Sequence, residues 1–260
     1  MITPDCNSYD CIQGQNTLAV DWNVVNSAMQ QSRDGNHLQA IAMLSALLLD
    51  CDSNRDRAAI LLSQSSCYSR LQNIAKSREL LESARMCAIE DRDLLSQVEM
   101  SEAALYALNG QDDLACERFA SVKSEYSDLL DLPENDDFAA ELDSRLACAL
   151  VDAGKYNDAI ELFRALFKRK ELDDKQRLQL YFGVAHLRTG NLSEAQSHLF
   201  EAMSGSDTSL AQSASDYLSS ISSNPHLGTR LTIAVGTAVA GCPPHGPGRA
   251  LISASGSYLG

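Results

Sequence analysis

Two histidines, His186 and His198, stand twelve residues apart, and Glu201 follows the second by three. Read as helix, His198 and Glu201 share a face, while His186 falls on the preceding helix of the same hairpin. Such a set would hold zinc if a further ligand joined it, but the HExxH pattern is missing. The expectation is therefore a pair of partly exposed helical histidines and no metal. Eight cysteines (Cys6, Cys11, Cys51, Cys67, Cys87, Cys116, Cys148 and Cys242) form no CxxC pair and no Cys/His cluster. Most lie beside Ala, Leu or Met in helical patterns, where a thiol acts as a small hydrophobe, so reduced cysteines in a cytoplasmic protein are expected. Neither Cys116 nor Cys148 has a histidine in register, which leaves no activated thiol.

The remaining chemical signatures are missing too. No GxGxxG, P-loop or GxSxG sequence occurs, so no cofactor is implied and the chain does not read as an enzyme. The acidic stretch Ser127–Asp137 (SDLLDLPENDD) lacks the glycine and spacing of a calcium loop and reads as a solvated acidic loop. Lys168-Arg169-Lys170 reads as the cationic end of a helix. With 35 acidic against 21 basic residues the net charge is −14, which repels phosphate backbones and argues against nucleic acid or anionic membrane as partner. The apolar runs 41–49 and 231–240 fall well short of the ~20 residues that span a bilayer, and residues 1–10 show no secretory pattern.

The elements that would carry these residues follow one recurring pattern. Ala40, Ser77, Ala115, Ala159 and Ala195 recur at spacings of 37, 38, 44 and 36 residues. Five residues before them stand Gly35, Gln72, Gly110, Gly154 and Gly190, as a helix end entering the left-handed region requires. Twelve before stand Ala28, Ser65, Ala103, Ala147 and Gly183, all small; four after come Leu44, Leu81, Phe119, Phe163 and Leu199, all large. Small residues at two places and a large one at a third let paired helices approach and interlock. Asn36 with Gln39, and Asn191 with Glu194, have the spacing of capping boxes. A further helix, about 208–221, has a polar composition suited to capping the last repeat.

Given these residues, above all GKYNDAIELF and GNLSEAQSHLF, the chain resembles the tetratricopeptide repeat family over about residues 17–221. The resemblance implies an all-α, right-handed superhelical solenoid of about five antiparallel helix pairs plus a C-terminal capping helix. Residues 1–16 are then expected as a flexible leader, 17–223 as the repeat domain, and 224–260, rich in Gly, Pro and Ser, as a disordered tail. It also implies that the first helix of each pair lines a concave groove for a protein or peptide partner. Carried onto this register, the lining face includes Trp22, Ser66, Ala104, Ser144, Cys148 and Leu187 together with the ten residues assigned as the groove: Val25, Met29, Leu62, Arg70, Met100, Leu108, Val151, Leu180, Val184 and Arg188. Members that bind chaperone tails place Lys and Asn at matching positions. Here those positions hold Val25 and Met29, Leu62 and Ser66, Met100 and Ala104, Ser144 and Cys148, and Leu180 and Val184, which argues against capture of a terminal carboxylate. The expectation is a non-catalytic adaptor with an apolar groove. The alternatives are a structural subunit that docks through its outer surface, or an accessory domain of an enzyme complex.

Overall fold

The structure is a computed structural model that describes residues 20–169, 172 and 174–223. The expected leader and tail, with Cys6, Cys11 and Cys242, lie outside the described residues. Among the described residues the protein is all-α. Five helix pairs follow in order: α1 (Trp22–Arg33) with α2 (His37–Leu49), α3 (Asn54–Arg70) with α4 (Ile74–Cys87), α5 (Arg92–Leu108) with α6 (Asp112–Glu125), then two more. A short α7 (Ser127–Leu130) and a 3-10 turn (Pro133–Asn135) precede α8 (Asp136–Asp152) with α9 (Tyr156–Leu166) and α10 (Lys175–Arg188) with α11 (Leu192–Met203). The last helix is α12 (Thr208–Ser223). The chain divides into two compact units, residues 1–94 and 95–260.

One backbone device turns every pair. The second residue after the first helix enters the left-handed region at Gly35, Gly110, Gly154 and Gly190, with φ between 72° and 88°. In the second pair Gln72 does the same at φ 60°. The amide one residue further on then donates to the carbonyl five residues back, as in Lys155 N to Leu150 O at 2.8 Å and Asn73 N to Tyr68 O at 3.0 Å. This Schellman closure satisfies the helix's last carbonyls and reverses the chain within three residues.

The repeating small and large residues are the seam of each pair. Ala28, Ala40, Leu44, Ser77, Leu81, Ala103, Ala115, Ala147, Ala159, Phe163, Ala195 and Leu199 are all fully buried. Two variations show how the seam adapts. Where the small residues are Ser65 and Ser77, their hydroxyls meet at 2.7 Å, and Ser77 Oγ lies 2.9 Å from the Ser65 carbonyl. At Gly183 even a methyl group would lie 2.7 Å from Leu199 Cγ, so the last pair is closer than an alanine allows.

In the first unit Val25, Ala28, Ile41, Leu44 and Ile60 form one core. In the second, a cluster around Phe119 and Leu142 is followed by one around Phe163 and Phe182, then one joining α10, α11 and α12. The α12 helix buries Leu210, Ala214 and Ile221 and leaves Ser209, Gln212, Asp216 and Ser220 exposed, the arrangement expected of a cap.

Three local expectations are corrected. The 127–137 segment is not an open loop: Leu129, Leu130 and Phe138 pack against the Phe119 cluster, Tyr126 is buried, and Asn135 Nδ2 donates to the Leu129 carbonyl. Its acidic residues do face solvent. The capping boxes do not close, because Asn36 turns to Gln31 Oε1 and Asn191 to Thr189 Oγ1. Side-chain caps form instead at Asp21, Ser53, Asn73 and Asp207. Finally, His186 is not partly exposed but buried, for the reason given below.

Candidate functional site

His186 and His198 belong to a ring stack. Phe182 lies at its centre, 4.0 Å from His198, 4.7 Å from His186, 5.2 Å from Phe163 and 5.6 Å from Phe167 between ring centroids. The His198 Nδ1 meets Gln179 Oε1 at 2.7 Å, so it carries the proton in the neutral ring. Burial pushes both imidazoles below the ordinary histidine value. Among the described residues no group of three His, Cys, Asp or Glu side chains is placed to hold a metal. The stack is core, and its polar edges are held by amides.

Burial also acts on the thiols. It pushes Cys148 up to about 12 and Cys116 to about 11, so both are protonated near neutral pH and poor nucleophiles. The described cysteines are free.

Of the residues assigned to the groove, five are core residues. Val25, Leu62, Met100, Val151 and Leu180 are at most 6% exposed. Met29, Arg70, Leu108, Val184 and Arg188 are partly buried. Val25 and Met29 share the first unit's core, and Leu180 and Val184 pack with α11 and α12. The structure thus takes the most apolar of the ten into the helix seams. A partner reaching this face would meet the more polar residues beside them.

Those residues form a cleft in the second unit. Its floor is Ala104, Ala107 and Phe119; its walls are Arg145, Cys148 and Asp152 of α8, with Arg177 and Tyr181 of α10. Its volume of about 20 Å³ is on the scale of one or a few waters. Arg145 and Arg177 have side chains only 8% and 7% exposed. Arg145 Nε donates to Glu141 Oε1 at 2.6 Å, and Arg177 Nη2 pairs with Asp174 Oδ2 at 3.1 Å. Buried guanidinium groups need such partners, because an uncompensated charge there is strongly destabilising. Burial, with Asp152 adding to it, holds the Tyr181 phenol well above its usual range.

None of the ten assigned groove residues lines this cleft, but Ala104 and Cys148, also carried over to the lining face, do. Three of its four polar members follow lining-face positions by one residue: Arg145 after Ser144, Asp152 after Val151 and Tyr181 after Leu180. One residue is about 100° of helix rotation. The signal in the sequence was a charged or phenolic residue directly after Val151 and Leu180.

Comparison with known proteins agrees with this architecture. The tetratricopeptide repeat profile matches residues 144–203, which span α9, α10 and α11 and most of α8. No curated protein matches the sequence. Among solved structures, the nearly identical TPR-like repeats of a Podosopora anserina protein align with a TM-score of 0.52 at 19% identity, covering 70% of this chain and 92% of theirs. A singly substituted form aligns with a TM-score of 0.53 at the same identity and coverage. YrrB, a TPR protein with an unusual peptide-binding site, aligns with a TM-score of 0.44 at 20% identity over 74% of this chain and 90% of its own. At these identities the likeness concerns the fold. No helix of the described residues is long and apolar enough to cross a membrane. Residues 144–203 thus carry the tetratricopeptide repeat profile, and the same interlocked hairpin recurs in every described pair.

Proposed function

We propose that this protein is a non-catalytic adaptor that holds a segment of a protein partner against the first helices of its second unit. Repeats of this family generally mediate protein–protein interaction, which is the class of function the fold supports. The observation that carries the finer reading is the cleft itself. Residues of α5, α8 and α10 converge there, and its walls combine an apolar floor with hydrogen-bonding side chains. That mixture recognises an extended peptide or a helix face better than a uniformly apolar groove does. A cytoplasmic setting belongs to the same proposal, since thiols held as small core groups suit a reducing compartment.

The test uses the full chain and two substitutions at the cleft, Ala104→Tyr and Asp152→Arg. Partners captured by the wild type are compared quantitatively with those captured by each variant, after circular dichroism has established that each is folded. Loss of the same partner from both variants supports the reading. Retention of every partner would overturn it and favour docking through the outer surface. That second reading has its own observation: in the first unit Leu49, Met86 and Ile89 are 86%, 72% and 68% exposed.

A further inference from the structure

We infer that the cleft between Arg145 and Asp152 recognises an uncharged carboxamide, the side chain of an asparagine or glutamine in a basic partner segment; this rests on the adaptor reading above. Glu141 takes the Nε–H of Arg145, so the two Nη groups are the donors that remain for a ligand, with no partner among the described residues. Neither Nη is among the buried atoms left without a partner, so both open to the cleft, and a ligand that covers them without an acceptor would leave a cationic donor unmatched. The ligand must therefore bring an acceptor. A lysine or arginine side chain brings only donors.

A carboxylate brings acceptors, but the local charge opposes it. Arg145 and Arg177 already stand among Glu141, Asp152 and Asp174. Two cations face three anions, and a bound carboxylate would make the anions four. A carboxamide adds no charge and carries both functions on one planar group. Its oxygen accepts from the Arg145 guanidinium, and its amino group donates to the Asp152 carboxylate, which lines the same cleft two turns along α8.

The surroundings specify what flanks that residue. Residues 95–223 carry 23 acidic and 11 basic side chains, while residues 20–94 carry 10 and 8. The excess acidity is thus concentrated in the unit that holds the cleft. A segment with lysine or arginine on either side of its Asn or Gln is drawn there by long-range attraction, and the neutral side chain is the one the cleft accepts.

The experiment is a selection of phage-displayed random dodecapeptides on the full-length chain. Enriched peptides are resynthesised with the invariant residue changed to Ala, Glu or Met, and affinities are measured at low and high salt. The expected result is an invariant Asn or Gln with basic neighbours, at least a tenfold loss on each change, and weaker binding at high salt. The preference for Gln over Met should vanish in Arg145→Met. In Asp152→Asn, an exposed position that leaves the buried guanidinium in place, the preference should move from Gln toward Glu. Peptides that lose binding in Ala104→Tyr but carry an acidic or apolar invariant residue would overturn the carboxamide assignment and leave the adaptor reading standing. Enrichment of no peptide sensitive to Ala104→Tyr would overturn both.

Discussion

Gln72 occupies a position that four of the five pairs give to glycine, and it does so at φ 60°. A side chain in the left-handed region costs roughly 1–2 kcal/mol through the clash of its Cβ with the following carbonyl. Glycine removes that clash but gives back about 0.4–1 kcal/mol through the freedom it adds to the unfolded chain. Gln72 is exposed, so its side chain adds little packing to offset the difference. Gln72→Gly should therefore raise stability by roughly 0.5–1 kcal/mol, seen as a few degrees in melting temperature. A fall instead would mean that the glutamine side chain does more than the turn requires. The same residue explains why the register was legible despite the exception. Ser65, Ser77 and Leu81 keep the small and large positions of that pair, and the Schellman hydrogen bonds form without the glycine.

At the scale of elements, the α10–α11 pair couples its packing to pH through two histidines. Phe182 stacks on the His198 ring and meets the His186 ring at a tilt, and burial is the main cause that lowers both values; the repulsion between the two imidazoles adds to this for His186. Glu194 and Glu201 pull the other way, and Arg164 adds to the lowering at His186. The native state thus binds protons more weakly than the unfolded chain, whose histidines titrate near 6.5. Stability from these groups is full above that value and is lost as pH falls below it, toward the lowered native values. The melting temperature should drop between pH 7.5 and 5.5, and His198→Phe, which retains a ring against Phe182, should reduce the drop. An unchanged pH profile in that variant would show that His198 does not titrate with unfolding. Spacing placed the two histidines on facing helices, but their burial was hidden, because it depends on the rings of Phe163 and Phe167 from the preceding helix.

At the scale of the molecule, charge works against compactness. The surplus of 12 acidic residues over 95–223 is relieved by exposed pairs such as Lys155 with Asp113 at 2.8 Å and Lys123 with Asp143 at 2.6 Å. Exposed pairs of this kind contribute about 0–1 kcal/mol each and are screened by salt. The repulsion among the unpaired surplus is screened as well, and it involves more residues. Raising sodium chloride from about 10 mM to about 0.3 M, which shortens the screening length several-fold, should therefore increase the melting temperature. A decrease would show that the ion pairs outweigh the repulsion.

The sequence by itself determined the repeat: where each pair turns, which residues form its seam and that the class is all-α. These properties are local or periodic, set by a left-handed turn position and by size alternation at fixed offsets within a hairpin. Only the tertiary structure decided the site. Whether Met100 or Leu180 meets a partner depends on what the neighbouring helices cover, and both are covered. Arg145 and Arg177 are 32 positions apart, and their shared cleft exists because α8 and α10 pack side by side. The acidic 127–137 stretch likewise took its shape from contacts with the Phe119 core, which no pattern inside the stretch records. Periodicity specifies a face to within one residue, and one residue turns a helix by about 100°, enough to separate the buried seam from the surface that is open to a ligand.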